Sequence, residues 1–341
     1  MIPAPLGVVL VAYNSADVIL DCLETLLSAA CADGTELRVV VVDNASPDDS
    51  VAAIRAWATG EVPYAPPADL PFPHVPLPKP LPEGGLTILS AGVNGGFAAG
   101  VNIGLKHLFA DPAIDRVWIL NPDSAVPPGT PAAFARHDQG PFALMGGRVL
   151  YYDHPGMIQI DGGTINRWTG VTGNLNLCAP YPQTRPARAE EIQFITGASM
   201  VASRQFIERA GPMPEDYFLY YEEVDWALRR GDLPLILCPE AIVYHRAGTA
   251  IGSPTIGRQA SPFSLYFKHR SRMRFVRRYF PWALPVALLY SFAKAAQLML
   301  KGYGLEGATL LRAFLGFGPS PTLRASLSPK AAARAFAAWK P

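Results

Sequence analysis

Leu6-Gly-Val-Val-Leu-Val-Ala12 and Arg38-Val-Val-Val-Val-Asp43 decide the fold class of this chain. Each is a short, almost unbroken apolar run rich in β-branched residues, the pattern of a strand covered on both faces of a parallel sheet. Between them Ile19, Leu23, Leu26, Leu27 and Ala30 recur at helical spacing and form one apolar face, with Ser15 as the candidate N-cap. Strand, helix, strand is a βαβ unit.

Outward from this unit the pattern continues. Pro63 to Pro82 is too proline-dense for a helix or a central strand, because proline fixes φ and removes a donor. A strand is expected at Leu86 to Ser90, then a Gly/Asn-rich turn, a helix to about Phe109, and the strand Val117-Trp-Ile-Leu120. Further apolar segments at Phe142 to Leu150, Ile192 to Ala202 and Leu235 to Tyr244 predict a mixed second half. The expected class is α/β, with a mostly parallel central sheet flanked by helices. A chain of 341 residues favours one large domain plus an appendage, or two domains. We expect a domain over 1–255 carrying a proline-rich insertion at 62–83, and a helical, basic and hydrophobic region over 256–341.

Lys+Arg and Asp+Glu nearly cancel, 29 against 28, so no global field favours nucleic acid as a partner. Cys22, Cys31, Cys178 and Cys238 have neither C-x-x-C spacing nor the density of a disulfide scaffold, which points to a reducing cytoplasm. The apolar run at the N-terminus is too short for a signal h-region and reads as a buried strand. In the last quarter, Lys268, Arg270, Arg272, Arg274, Arg277 and Arg278 precede an apolar stretch from Pro281 to Leu300. About 20 such residues suffice to span a bilayer, but Pro285, Lys294 and Gln297 interrupt them. Two readings stand: a helix on the inner face of the membrane held by anionic lipid through 264–300, or a helix packed on the main domain. The tail after Pro319 reads as a surface helix or a disordered end.

In open α/β sheets ligands sit at the carboxyl ends of strands. Tyr13-Asn14, Asp43-Asn44, Asn94-Gly95-Gly96 and Asn121-Pro122-Asp123 each close an apolar run, and their coincidence outweighs the ordinary turn-forming habit of Asn, Asp and Gly. Asp43 can accept from a base or ribose donor, and a glycine turn lets backbone amides approach a phosphate. Asp123 suits a metal carboxylate, since a diphosphate leaving group needs its charge neutralised by Mg2+ or Mn2+. The same residue also fits a turn or helix cap. The acidic run Glu222-Glu223-Val-Asp225 offers a general base, or an acidic helical turn paired with Arg229 and Arg230. The site after the first strand reads Ala12-Tyr-Asn-Ser-Ala16, which excludes the nicotinamide fingerprint, and no phosphate-loop motif is present.

Val11-Ala-Tyr-Asn14, Val42-Asp-Asn-Ala-Ser46, Asn94-Gly-Gly-Phe-Ala-Ala-Gly-Val-Asn102, Leu120-Asn-Pro-Asp123, Gly197-Ala-Ser199 and Tyr220-Tyr-Glu-Glu-Val-Asp-Trp226, in this order, resemble the signature series of family 2 glycosyltransferases. The resemblance covers roughly residues 6 to 250 and lies nearest the rhamnosyltransferase and galactofuranosyltransferase branch. It implies a GT-A fold, Rossmann-like, and an inverting transfer from a nucleoside-diphosphate sugar, dTDP- or UDP-linked, assisted by a divalent cation. Tyr13, Asn14, Asp43, Asn94, Gly96, Asn102 and Asn121 would then lie on the nucleotide-sugar side, and Gly197, Ala198 and Ser199 on the acceptor side. Asp123 would take the metal as the last member of a degenerate D-x-D motif in which Asn121 replaces an aspartate. Glu223 would be the base where aspartate is more usual, with Glu222 and Asp225 as rivals. His245, opening His245-Arg-Ala-Gly248, would be a second metal ligand, although an isolated histidine is more often merely packed. The acceptor implied is a glycan or lipid-linked molecule of the bacterial cell surface, and the sugar is expected to be rhamnose. The competing class is a non-catalytic subunit of the same fold that binds glycan or scaffolds an envelope assembly.

Overall fold

In a computed structural model, residues 4–138, 140–246, 248, 252 and 259–337 are described. Strand β1 (Leu6–Ala12) is buried along its whole length, as its continuous apolar run requires. Helix α1 (Ile19–Asp33), β2 (Leu37–Asp43), α2 (Ser50–Thr59), β3 (Thr87–Ser90), α3 (Phe97–Leu108) and β4 (Arg116–Leu120) follow. The next elements are β5 (Ser124–Ala125), α4 (Thr130–Arg136), β6 (Leu144–Tyr151), β7 (Ile158–Ile160), β8 (Gly163–Ile165), β9 (Thr172–Asn174) and β10 (Ser199–Ser203). Then come α5 (Arg204–Ala210), α6 (Glu222–Leu228), β11 (Leu235–His245), α7 (Pro262–Tyr279), α8 (Leu284–Leu300), α9 (Gly304–Leu315), α10 (Pro321–Ala325) and α11 (Pro329–Ala335). The main sheet has nine strands in the order β3-β2-β1-β4-β10-β6-β11-β5, with β7 against β6, while β8 and β9 form a small separate hairpin.

The first four strands in this order pair in parallel, as βαβ reading requires. β10 then runs antiparallel between β4 and β6, which makes the second half mixed. One apolar layer under α3 contains Val9, Val11, Val101 and Ile119, and the opposite layer under α1 and α2 contains Val8, Leu10, Leu23 and Trp57. Helix α3 can press against β1 because Gly100 has no side chain; a Cβ there would meet Val11 at 2.5 Å.

Two local expectations change, and of the two readings of the tail after Pro319 the helical one is realised. Ser15 does not cap α1: Val18 holds that position without a side-chain bond, and the Ser15 hydroxyl is bonded to Tyr13 instead. The apolar segment 192–202 becomes strand only from Ser199 onward. The C-terminal helices are not a loose tail. Phe275 of α7 belongs to the main core, and α10 and α11 pack through Leu323, Leu327, Ala331 and Ala332 against Phe218, Tyr266 and Phe267. The expected boundary at 255/256 lies outside the described residues.

The proline-rich insertion contains no helix or strand, as its composition demands. It is nevertheless docked: the buried Glu24 carboxylate of α1 accepts from Trp57 Nε1 at 2.7 Å, Lys79 Nζ at 2.9 Å and the Leu77 amide.

Candidate active site

The carboxyl ends of β1, β2 and β4, together with the turn before α3, open onto one cavity of about 500 Å³. Tyr13, Asn14, Asn94, Gly96, Asn121, Asp123, Gly197, Ala198, Glu222, Glu223 and His245 all line it. The topology explains the convergence. Ser199 of β10 stands opposite Leu120 of β4, so Gly197 and Ala198 enter beside the end of β4, where the Asn121 amide donates to Ala198 O at 3.0 Å. His245, the last residue of β11, pairs with Ser124 of β5 and is thereby placed next to Asp123.

Asp123 Oδ1 and His245 Nε2 lie 3.1 Å apart. On its other side His245 Nδ1 is 2.7 Å from Gln159 Oε1, an oxygen that can only accept, so Nδ1 carries the proton of the neutral ring and Nε2 keeps a lone pair; the contact with Asp123 becomes an ion pair when both nitrogens are protonated. Asn121 Nδ2 donates to Nε2 at 3.2 Å. A carboxylate oxygen and an imidazole lone pair turned toward the same point are a fitting pair of protein ligands for Mg2+ or Mn2+, the remaining positions being left to phosphate and water. No group of three or more His, Cys, Asp or Glu able to hold a metal occurs among the described residues.

The acidic run splits by function. Glu222 and Glu223 occupy the first turn of α6 and face the cavity, and the Oε2 atom of each is buried without a hydrogen-bond partner. Burial raises both carboxyls above the ordinary range; for Glu222 the neighbouring Glu223 adds to the effect, and Glu223 is raised to about 7 despite nearby backbone amides and Lys268. Asp225 points the other way. Its carboxylate accepts from Arg229 and Arg278 at 2.6 Å each and from the hydroxyls of Tyr217 and Tyr279 at 2.8 Å each. It does not line the cavity and has no spare oxygen for a reaction.

Tyr220 and Tyr221, just before the acidic pair, both have left-handed backbone, with φ of 64° and 74°. For non-glycine residues each costs about 1–3 kcal/mol, a cost sustained only where surroundings over-determine it. Here the Tyr220 hydroxyl lies 2.6 Å from Ser264 Oγ of α7, and the Tyr221 hydroxyl donates to Gly170 O at 2.7 Å.

Asp43, Asn102 and Ser199 do not line the cavity. Asp43 accepts from the Ser46 amide at the adjoining turn. Asn102 faces the opposite direction, bonding Met213 through both its amide groups and Glu215 through Nδ2, so it ties α3 to the segment before α6. Ser199 is fully buried beneath Trp118, whose Nε1 donates to its hydroxyl.

Other residues complete the site. Asn44 lines the cavity and clamps the glycine turn, donating to Asn94 Oδ1 and Gly96 O while accepting from the Gly95 amide. Its place beside Asp43 was a usable signal. Gln159 sits in a three-residue strand without motif, and Phe263, Ser326 and Leu327 reach the cavity from the C-terminal helices; nothing in their sequence marks them.

Known proteins share this architecture. A computed match to the model of "Glycosyl transferase family 2" covers residues 7–209. The chain is 20% identical over 228 residues to the low-salt glycan biosynthesis hexosyltransferase Agl10 of Haloferax volcanii, covering 66% of this chain and 61% of that protein. The chain thus spans less than two thirds of that relative. Among solved structures, the mannosyltransferase PcManGT of Pyrobaculum calidifontis, in complex with GDP-Man and Mn2+, superposes with a TM-score of 0.51 at 18% identity, covering 92% of this chain and 87% of that one. GalNAc-T7 with UDP, GalNAc and Mn2+ gives 0.57 at 13% identity, covering 92% and 55%. The sheet order and flanking helices are accordingly those of the GT-A fold, and with the match extending over more than half its length, the chain belongs to glycosyl transferase family 2.

Proposed function

We propose that this protein transfers a sugar, with inversion, from a nucleoside-diphosphate donor to a hydroxyl of a glycan or lipid-linked acceptor in cell-surface polysaccharide synthesis. One observation carries the reading: two carboxylates, each with a buried and unpartnered Oε2 atom, share a cavity with the Asp123–His245 pair. An inverting displacement needs a base beside the attacking hydroxyl and charge neutralisation at the leaving diphosphate, and these two clusters supply them on different walls.

Asp123 and His245 would hold a divalent cation, which supplies charge stabilisation to the departing diphosphate. Tyr13, Asn14 and Asn94, with the glycine turn, would line the donor side, and Gly197 and Ala198 the acceptor side. Glu223 Oε2 would take the proton of the acceptor hydroxyl as the new bond to the anomeric carbon forms. Its raised affinity for protons suits that role. Glu222, whose carboxyl is likewise raised by burial and then by Glu223, would remain protonated and limit charge repulsion beside it. We place the reaction in the cytoplasm, in keeping with four free cysteines.

The signature series favours a deoxysugar such as rhamnose, whereas Agl10 is named a hexosyltransferase; a donor screen separates the two. Melting temperature is measured with dTDP-, UDP- and GDP-sugars, with and without Mn2+. The matching donor stabilises the folded state by about 2.7 kcal/mol at a hundredfold excess over its Kd. Asp123→Ala is expected to abolish the Mn2+-dependent part of the shift. A flat response to every donor, or unchanged biological function in Asp123→Ala and Glu223→Gln, would favour the non-catalytic, glycan-binding alternative.

A further inference from the structure

Helix α8 buries a stripe of small residues, Ala287, Ser291 and Ala295, against the layer formed by Met273, Val276, Leu310 and Phe314. Leu284, Leu288 and Leu298 are half-buried along the edges of this contact, while Val286, Leu289, Tyr290, Phe292, Met299 and Leu300 are exposed. The 20-residue run Pro281–Leu300 is long and apolar enough to cross a membrane, yet only 22% of its most apolar window is buried. Leu289 is 70% exposed and Leu300 89%, and Leu305 and Phe317 from α9 and its C-terminal end add to the exposed set. Trp168, from the turn between β8 and β9, meets Trp282 edge-on at 4.7 Å, both exposed. A broad apolar face of this kind marks an interaction surface.

Charge identifies the partner. Fifteen of the 29 Lys and Arg lie in residues 241–341, but only one of the 28 Asp and Glu, Glu306. The near-neutral total thus hides an acidic first part and a strongly basic last part. The basic residues of 268–278 are largely engaged within the fold: Arg270 donates to Ala335 O and Ala337 O, Arg272 to Thr169 O and Ser291 Oγ, and Arg278 to Asp216 and Asp225. The cations bordering the apolar face are Lys294, Lys301 and Arg312 on α8, its C-terminal end and α9; Lys294 donates only to the neighbouring Gln297 Oε1, and Arg312 donates through Nε to Gly318 O.

We infer that the α8–α9 face seats this protein on an anionic phospholipid surface. Apolar and aromatic side chains enter the headgroup boundary, and the surrounding cations bind lipid phosphates. The bond from buried Arg272 to Ser291 Oγ, at 2.6 Å, keeps α8 fastened to α7, so the helix lies on the bilayer and does not leave the domain to span it. The proposal does not depend on the transfer reaction.

The full chain, without nucleotide, is floated with vesicles of phosphatidylcholine alone and of phosphatidylcholine mixed with phosphatidylglycerol. It is expected to float with the mixed vesicles and to be released by salt. Leu289→Glu with Leu300→Glu should weaken binding by at least about tenfold, and Lys294→Glu with Lys301→Glu by about thirtyfold at low salt, with melting temperatures unchanged. Failure of the full chain to float with mixed vesicles overturns the proposal, as does wild-type binding by both double variants. It is equally overturned if the face proves to be covered by a second copy, seen as a dimer in sedimentation equilibrium that Leu289→Glu with Leu300→Glu dissociates.

Discussion

Glu222 and Glu223 are adjacent carboxylates in nearly the same surroundings, and two measurements separate them. If Glu223 is the base, it works only when ionised, so the transfer rate should fall as pH drops below about 7. Glu223→Gln should lower kcat by about 10²–10⁴-fold and remove that limb of the pH profile. A profile unchanged in this variant would exclude Glu223 as base. Glu222 is read through stability instead. Its folded-state pKa is raised, chiefly by burial, so its contribution to stability is complete in acid and is lost as pH rises from the ordinary carboxylate value through the raised one. Glu222→Gln cannot ionise and keeps that stability. Its advantage over wild type in urea unfolding should therefore be larger at about pH 8 than at about pH 5. An advantage independent of pH would mean that Glu222 is not held neutral.

Among the elements, the turn leading into α3 is the most constrained. Gly96 has φ of 92°, and a Cβ placed on it would lie 2.2 Å from the carbonyl oxygen of Phe218. That close approach is used: the Phe97 amide donates to Phe218 O at 3.2 Å, joining the start of α3 to the segment that carries Tyr220 and the acidic pair. Gly96→Ala should cost more than about 2 kcal/mol, since both backbone strain and the displaced carbonyl contribute, and donor affinity should fall with it. A variant with wild-type urea midpoint would show that the turn can shift without loss. The strands and α3 were legible because both β periodicity and helical spacing leave regular marks, and the strand ends showed where to look. Asn14, Asn94, Asn121, Asp123 and His245 follow from that rule and the motif series together. Asn102 and Asp43 belong to the same motifs, but both are half-exposed and bond neighbouring groups away from the cavity, a distinction of side-chain direction that a linear pattern does not carry. Gln159 reaches His245 by pairing of β7 with β6, and no local signal encodes that pairing.

At the scale of the whole molecule, the C-terminal helices form part of the wall of the candidate site, through Phe263, Ser326 and Leu327. Read along the chain they resemble an appendage, because their basic and apolar composition differs from the sheet that precedes them. In space, the C-terminal end of α7 meets the acidic helix α6, and Asp225 joins the two. It is completely buried, its Oδ1 accepting from Arg229 and Tyr279 and its Oδ2 from Tyr217 and Arg278, so each oxygen joins α7 to the segment around α6. A rival for the catalytic base on sequence grounds is thus the knot between the acidic segment and the C-terminal helices. Removing it leaves two arginines and two tyrosine hydroxyls without their shared acceptor. Asp225→Ala is accordingly expected to destabilise the protein by about 3–5 kcal/mol, the range for breaking a buried ion pair from one side. Arg278→Ala and Asp225→Ala should be strongly non-additive when combined, because the second substitution finds the bond already broken. Urea unfolding of the two single variants and the double variant gives the coupling directly. Donor affinity, titrated at a temperature where the variant remains folded, should stay close to wild type, since Asp225 does not reach the cavity. Loss of transfer with unchanged unfolding midpoint would return Asp225 to the reaction and remove α7 from the role assigned to it.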